Sequence, residues 1–383
     1  MIAPADKAVL RLAVGLGLAV LIAYGAALPL PYVVCLMAVL VLTKPGPPLP
    51  LAKGAAIAAV LVAYGFALQM PHVVCLMAMI VLCKPGPPIP PLKAAFFALL
   101  LAGLLVTGVL MVPLLENYAL AAVMLTGVIL YALFFFGIRT GNPLTMLLVV
   151  VFTLIPVAGV AEQALVTMIS VTIAVGIAVG GLVGSLSHAF FPDPPGAAAK
   201  AVKAPPPSRE TASWIALRGT LVVMPVFVLA LTDPSFYLAA IMKTAALGQQ
   251  AGSTDTRSAG RELVGSTLMG AAMALVVWCG LSLWPNLWML LLWMMAAALW
   301  AGARIFGVRR TTYPPVFWND ALMTMLILLG PAIEDSANGT GVLGASAVRV
   351  GLFVGVALYA WATVWLLERW RASRSQALFF DRG

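Results

Sequence analysis

Residues 9–28 hold one charged side chain, Arg11, in an otherwise apolar run long enough to cross a bilayer, and such runs recur to the end of the chain. No other feature narrows the fold as much. Inside lipid no water satisfies the backbone, so segments of this length must be helices that close their own hydrogen bonds. The 383-residue chain is 63% hydrophobic and 9% charged, against about 25% charged in soluble domains. A large soluble core would need a polar surface that this composition cannot supply. The expected fold is all-α, a polytopic helical membrane protein. Near Met1 no short cleavable segment is expected, because Lys7 and Arg11 lead directly into a full-length apolar run.

Hydropathy places fourteen spans, at 9–28, 30–43, 54–70, 71–83, 94–114, 118–137, 143–160, 164–190, 214–232, 235–248, 263–283, 286–304, 317–333 and 343–367. A Pro/Ala-rich stretch without apolar period, Pro192 to Ser213, separates them into eight and six. The expected organisation is an N-terminal membrane half (1–191), a cytoplasmic linker (192–213), a C-terminal membrane half (214–370) and a cytoplasmic tail (371–383).

The first half repeats itself. "YVVCLMAVLVLTKPGPP" from Tyr32 returns as "HVVCLMAMIVLCKPGPP" from His72, and residues 11–50 and 51–90 align without gaps. Each copy is a long helix, then a short apolar run, then KPGPP. A forty-residue shift crosses two spans, so both copies keep one orientation and form a parallel repeat. A weaker echo follows in the second half, where a helix ends at Pro234 and a short run leads to Lys243. "NPLTMLLVVVFTLIP" from Asn142 also parallels "NDALMTMLILLGP" from Asn319. Two parallel, pseudo-symmetric halves are the simplest architecture.

Charge placement supports the span count. With the N-terminus in the cytoplasm, the lysines and arginines from Lys44 to Arg382 fall on cytoplasmic loops or helix ends, Arg349 excepted. Glu116, Glu162, Asp233, Glu334 and Asp335 fall on the opposite side. The +9 net charge therefore follows the positive-inside rule and calls for no nucleic acid. The four cysteines, Cys35, Cys75, Cys83 and Cys279, have no metal or redox spacing. No phosphate loop or paired-carboxylate motif is present, so neither an enzyme nor a cofactor is expected.

The short runs single out their lysines. About 13 residues cover roughly 20 Å, less than a ~30 Å hydrocarbon core. Such helices thin the bilayer, shelter among other helices or line a cavity. Lys44, Lys84 and Lys243 then either face a cytoplasmic vestibule that draws anions, or snorkel to the surface as anchors. Arg349, a few residues into the last span, is either an anion site on the exit path or a partner of Glu334 or Asp335. Asp320, after Asn319, is either a helix cap or a proton-accepting coupling group. Arg139 and Asn142 hold the matching place in the first half, where Arg139 also suits a loop anchor. His72 could titrate near neutral pH or serve as an interfacial polar residue.

"RELVGSTLMGAAMALVV", Arg261 to Val277, together with short helices after proline, resembles the fusaric acid resistance-like superfamily of aromatic acid exporters. The residues that carry the resemblance are Arg261, Leu263, Gly265, Thr267 and Gly270. The first half has "LAKGAAIAAV" from Leu51 instead. The resemblance implies a bacterial inner-membrane exporter of small organic, mainly aromatic, anions that works with a periplasmic membrane-fusion adaptor. The implied partners are that anion, membrane lipid, the adaptor and further copies of the chain as a homo-oligomer. In this reading Lys44, Lys84, Lys243, Arg349, Arg139 and Asn142 bind substrate, while Asp320 and Asn319 couple transport. A passive anion channel and a non-transporting envelope scaffold are the alternatives.

Overall fold

The computed structural model describes residues 4–28, 31–43, 110–140, 144–191, 207–253, 259–337 and 342–380. The second repeat copy (51–90), with His72 and Lys84, lies outside the described residues, as do Lys44 and Asn142. The described chain is helical without strands. It comprises α1 (Pro4–Gly25), α2 (Pro31–Leu42), a helical stretch at 110–117, α3 (Ala119–Thr140), α4 (Leu144–Ala161) and α5 (Gln163–Phe190). After these come α6 (Arg209–Ala230), α7 (Pro234–Ser253), α8 (Ala259–Leu283), α9 (Leu287–Ile305), α10 (Pro315–Ala337) and α11 (Val342–Phe380).

Seven of these helices, α1, α3, α6, α8, α9, α10 and α11, are long and apolar enough to cross a membrane. Helix α3 shows which solvent they suit. Ala122, Thr126, Leu130 and Phe134 follow each other at four-residue spacing on its buried face. Leu120, Met124, Val128 and Phe136 stand exposed on the other, Leu120 at 83%. A water-facing helix would carry charge there. An outer face as apolar as the inner one belongs in lipid, and the chain is an all-α multi-pass membrane protein.

Helix ends follow local chemistry. Proline opens α1, α2, α7 and α10, where its missing N–H is no loss. The Ser208 hydroxyl caps α6 by accepting from the Thr211 N–H at 3.2 Å, so the last residues of the expected linker are already helical. Asn286 caps α9 through the Met289 N–H at 2.7 Å. Buried hydroxyls on Thr126, Thr153, Thr220, Thr244 and Thr324 each donate to the carbonyl four residues earlier. Such a local bond satisfies the hydroxyl proton within the helix itself.

The chain forms two compact units, and each draws on both sequence halves. In the first unit α1 packs on α2, α2 on α10, α10 on α9, and α9 back on α1. In the second, α6 packs on α7, α7 on α4, α4 on α3, and α3 back on α6. The order of contacts is the same if α1 corresponds to α6, α2 to α7, α10 to α4 and α9 to α3. Those are the pairings that the Pro31/Pro234 and Asn319/Asn142 echoes indicate. Each unit thus combines the helical hairpin of one half with the helix pair of the other.

Within each ring one helix pair is enclosed by protein. Along α2, Tyr32 to Leu36 are all buried, and along α10 the burial is continuous from Asp320 to Ala332. In the second unit the same holds for Val151 to Ala158 of α4 and Ala239 to Ala245 of α7. Enclosure explains how α2 can have only 12 residues: it does not need to match the thickness of lipid.

Small residues set the close approaches. A Cβ on Gly219 of α6 would meet the Gly248 carbonyl oxygen of α7 at 3.2 Å, with Phe134 of α3 equally near. On α8, a Cβ at Gly270 would lie 2.6 Å from the Ala321 carbonyl oxygen and 2.5 Å from Thr324 Cβ of α10. Backbone cannot yield as a side chain does, so Gly270→Ala is expected to destabilise the protein by about 1–3 kcal/mol. Gly344→Ala, at a position with nothing within 4 Å, is expected to stay within about 0.5 kcal/mol of the parent. Thermal unfolding in detergent measures both. Elsewhere in the first unit, Ser187 of α5 donates to the Arg11 carbonyl at 2.7 Å, and the Arg11 guanidinium donates to His188 Nδ1 at 2.8 Å.

Candidate functional site

The enclosed helices carry the two most telling charges. Lys243, on α7, is fully buried at 0% exposure. It stands about 14 Å along the helix axis from Pro234. The expected short run 235–248 is a 20-residue helix instead. Lys243 therefore sits at mid-helix rather than at a terminal stop. After Lys44 and Lys84 the chain reads Pro-Gly-Pro-Pro, whereas Lys243 is followed by Thr244 and Ala245, which continue a helix readily.

Asp320 lies on α10, the helix that corresponds to α4 in the other ring, and is 4% exposed. It is about 7 Å along the axis from Pro315. Beside it Asn319 donates from Nδ2 to Met323 Sδ at 3.6 Å, while its Oδ1 is buried and accepts no hydrogen bond. A buried acceptor without a donor is costly. The α8–α10 approach at Gly270 abuts the carbonyl of Ala321, the residue after Asp320. Arg139, near the end of α3, and Arg349, in the second turn of α11, are both half-buried.

Two clusters were not foreseen from the sequence. In the second unit, Arg218 of α6 pairs with Glu368 of α11 at 3.0 Å, and Trp214 Nε1 donates to the same carboxylate oxygen at 2.9 Å. Trp214 also stacks on Trp370 at 6.4 Å, and further along Tyr359 donates to the Leu221 carbonyl at 2.8 Å. Arg218, expected at a loop or helix end, is buried. The available signal was the i, i+4 spacing of Trp214 and Arg218, and the lone acid in "WLLERWR".

In the first unit, the Arg304 guanidinium lies 3.8 Å from the Trp300 ring centre and 4.7 Å from that of Trp318. The two rings meet edge-on at 5.1 Å. Tyr313 stacks on Phe317 at 4.3 Å, and Trp318 Nε1 donates to Thr311 Oγ1 at 3.1 Å. These contacts tie the α9–α10 turn to the start of the helix that bears Asn319 and Asp320. Comparison with known proteins identifies no relative: no family model, curated protein or solved structure matches the chain.

Proposed function

We propose that this chain is a transporter that exports small organic anions, aromatic carboxylates foremost, across the cytoplasmic membrane of a bacterium toward a periplasmic adaptor. The observation that carries this reading is the full burial of Lys243 at mid-helix. An ammonium at that depth is expensive to keep, and in membrane proteins such groups mark substrate or ion pathways. A fixed positive charge suits an anionic cargo. Asp320, on an enclosed helix of the other ring, supplies a carboxylate for coupling to the proton gradient. Arg349 and Arg139, both half-buried, are the further cations assigned to the anion.

Purified protein in sealed vesicles, loaded with benzoate and given an imposed pH gradient, provides the test. The expected result is benzoate efflux that depends on the gradient, and that Asp320→Asn uncouples from it. Large currents independent of the gradient would assign a passive channel instead. Absence of any flux would leave a scaffold role and overturn the proposal.

A further inference from the structure

Helix α9 ends in a turn that gathers three arginines. The Phe306 N–H reaches the Gly302 carbonyl at 2.9 Å, and Gly307 adopts the left-handed conformation at φ +75°. The Arg309 N–H then closes back on the Ala303 carbonyl at 2.8 Å. The chain folds over the C-terminal end of the helix, where its dipole favours cations. Arg304, held between Trp300 and Trp318, donates to the Trp300 carbonyl at 2.6 Å. That uses one of its five N–H donors.

Among the described residues no carboxylate pairs with Arg304, Arg309 or Arg310, and Arg309 repels Arg304. Arg309 and Arg310 are exposed, with Val308, Val316 and Trp300 presenting apolar surface around them. Crowded, unneutralised guanidinium groups beside apolar surface form a receptor for an anion that has an apolar body.

We propose that the α9–α10 turn binds the phosphate of an anionic phospholipid headgroup, with Arg304, Arg309 and Arg310 as donors and Trp300 toward the acyl chains. The assignment rests on the membrane orientation read from the charges, which puts this turn at the cytoplasmic surface where anionic lipids attract basic residues. It does not depend on what the protein transports.

Native mass spectrometry of the detergent-purified protein, titrated with phosphatidylglycerol or phosphatidylcholine of identical chains, tests it. The expected result is a preference for phosphatidylglycerol that falls roughly fivefold per arginine removed. Both the exposed-loop variant Arg309→Gln/Arg310→Gln and the triple variant with Arg304→Gln should show the fall. Arg369→Gln/Arg371→Gln removes equal charge elsewhere and should leave the preference intact. An unchanged preference in the loop variant overturns the site, and so does an equal loss in the Arg369/Arg371 control. Displacement of lipid by glycerol 3-phosphate at matched concentration would assign a soluble phosphate site instead and overturn the lipid commitment. Failure of the protein to float with liposomes would instead overturn the membrane reading on which the assignment stands.

Discussion

Replacing Lys243 by methionine is expected to reduce benzoate flux in reconstituted vesicles by a hundredfold or more, to the level of protein-free controls. Methionine approaches lysine in length, so it fills the enclosed space on α7 while removing the charge. An anion that meets a desolvated ammonium loses a partner worth about 3–5 kcal/mol when that ammonium is deleted, and each 1.4 kcal/mol is about tenfold. Lys243→Arg keeps the charge but changes its shape, so it should retain part of the flux. Size-exclusion profiles separate lost transport from lost folding. Full flux in a well-folded Lys243→Met protein would remove the basis of the proposed function.

Glu368→Ala is expected to destabilise the second unit by about 2–4 kcal/mol. Arg218 is 7% exposed and Glu368 23%, so the substitution takes the carboxylate away from a guanidinium with little access to water. Breaking a buried pair from one side costs about 3–5 kcal/mol, and the partial exposure of Glu368 lowers that figure. Trp214 loses its acceptor in the same step. The double variant Arg218→Met/Glu368→Met should recover most of the loss, because no charge is then left buried. A double-mutant cycle on thermal unfolding measures the coupling. A shift below about 0.5 kcal/mol for Glu368→Ala would show that the pair contributes no more than a surface bridge.

Much of the fold was legible because lipid leaves a helix few options. Helix α2 falls at Pro31–Leu42 against an expected 30–43, and α5 at Gln163–Phe190 against 164–190. Where boundaries moved, polar residues were read as stops that a helix can carry through. Lys243 lies inside α7, and α11 continues to Phe380 through the expected cytoplasmic tail. Helix partners were not legible. Hydropathy reports that a segment wants burial, not against what, and the apolar faces of α1, α3, α6 and α9 are chemically alike. The echo of Asn142 in Asn319 paired α4 with α10, yet it carried no sign that each packs with the other half's hairpin.

The candidate site divided along the same line. Asp320 and Lys243 could be named because a charge in an apolar run stands out on its own. The Arg218–Glu368 pair could not, since its members are 150 residues apart and each looks like an ordinary helix-end charge. The Arg304 cluster was hidden in a tryptophan-rich stretch that an interfacial belt explains equally well.

The exchanged helix pairs also bear on how the protein is made. The hairpin α1–α2 leaves the ribosome early, but its packing partners α9 and α10 follow only about 240 residues later, at roughly 5–20 residues per second. For tens of seconds α2 lacks α10, the late helix that it packs against. Among the described residues, the first ring closes only once α9 and α10 have been inserted. A nascent chain truncated before α9 lacks both helices that close the first ring on α1 and α2.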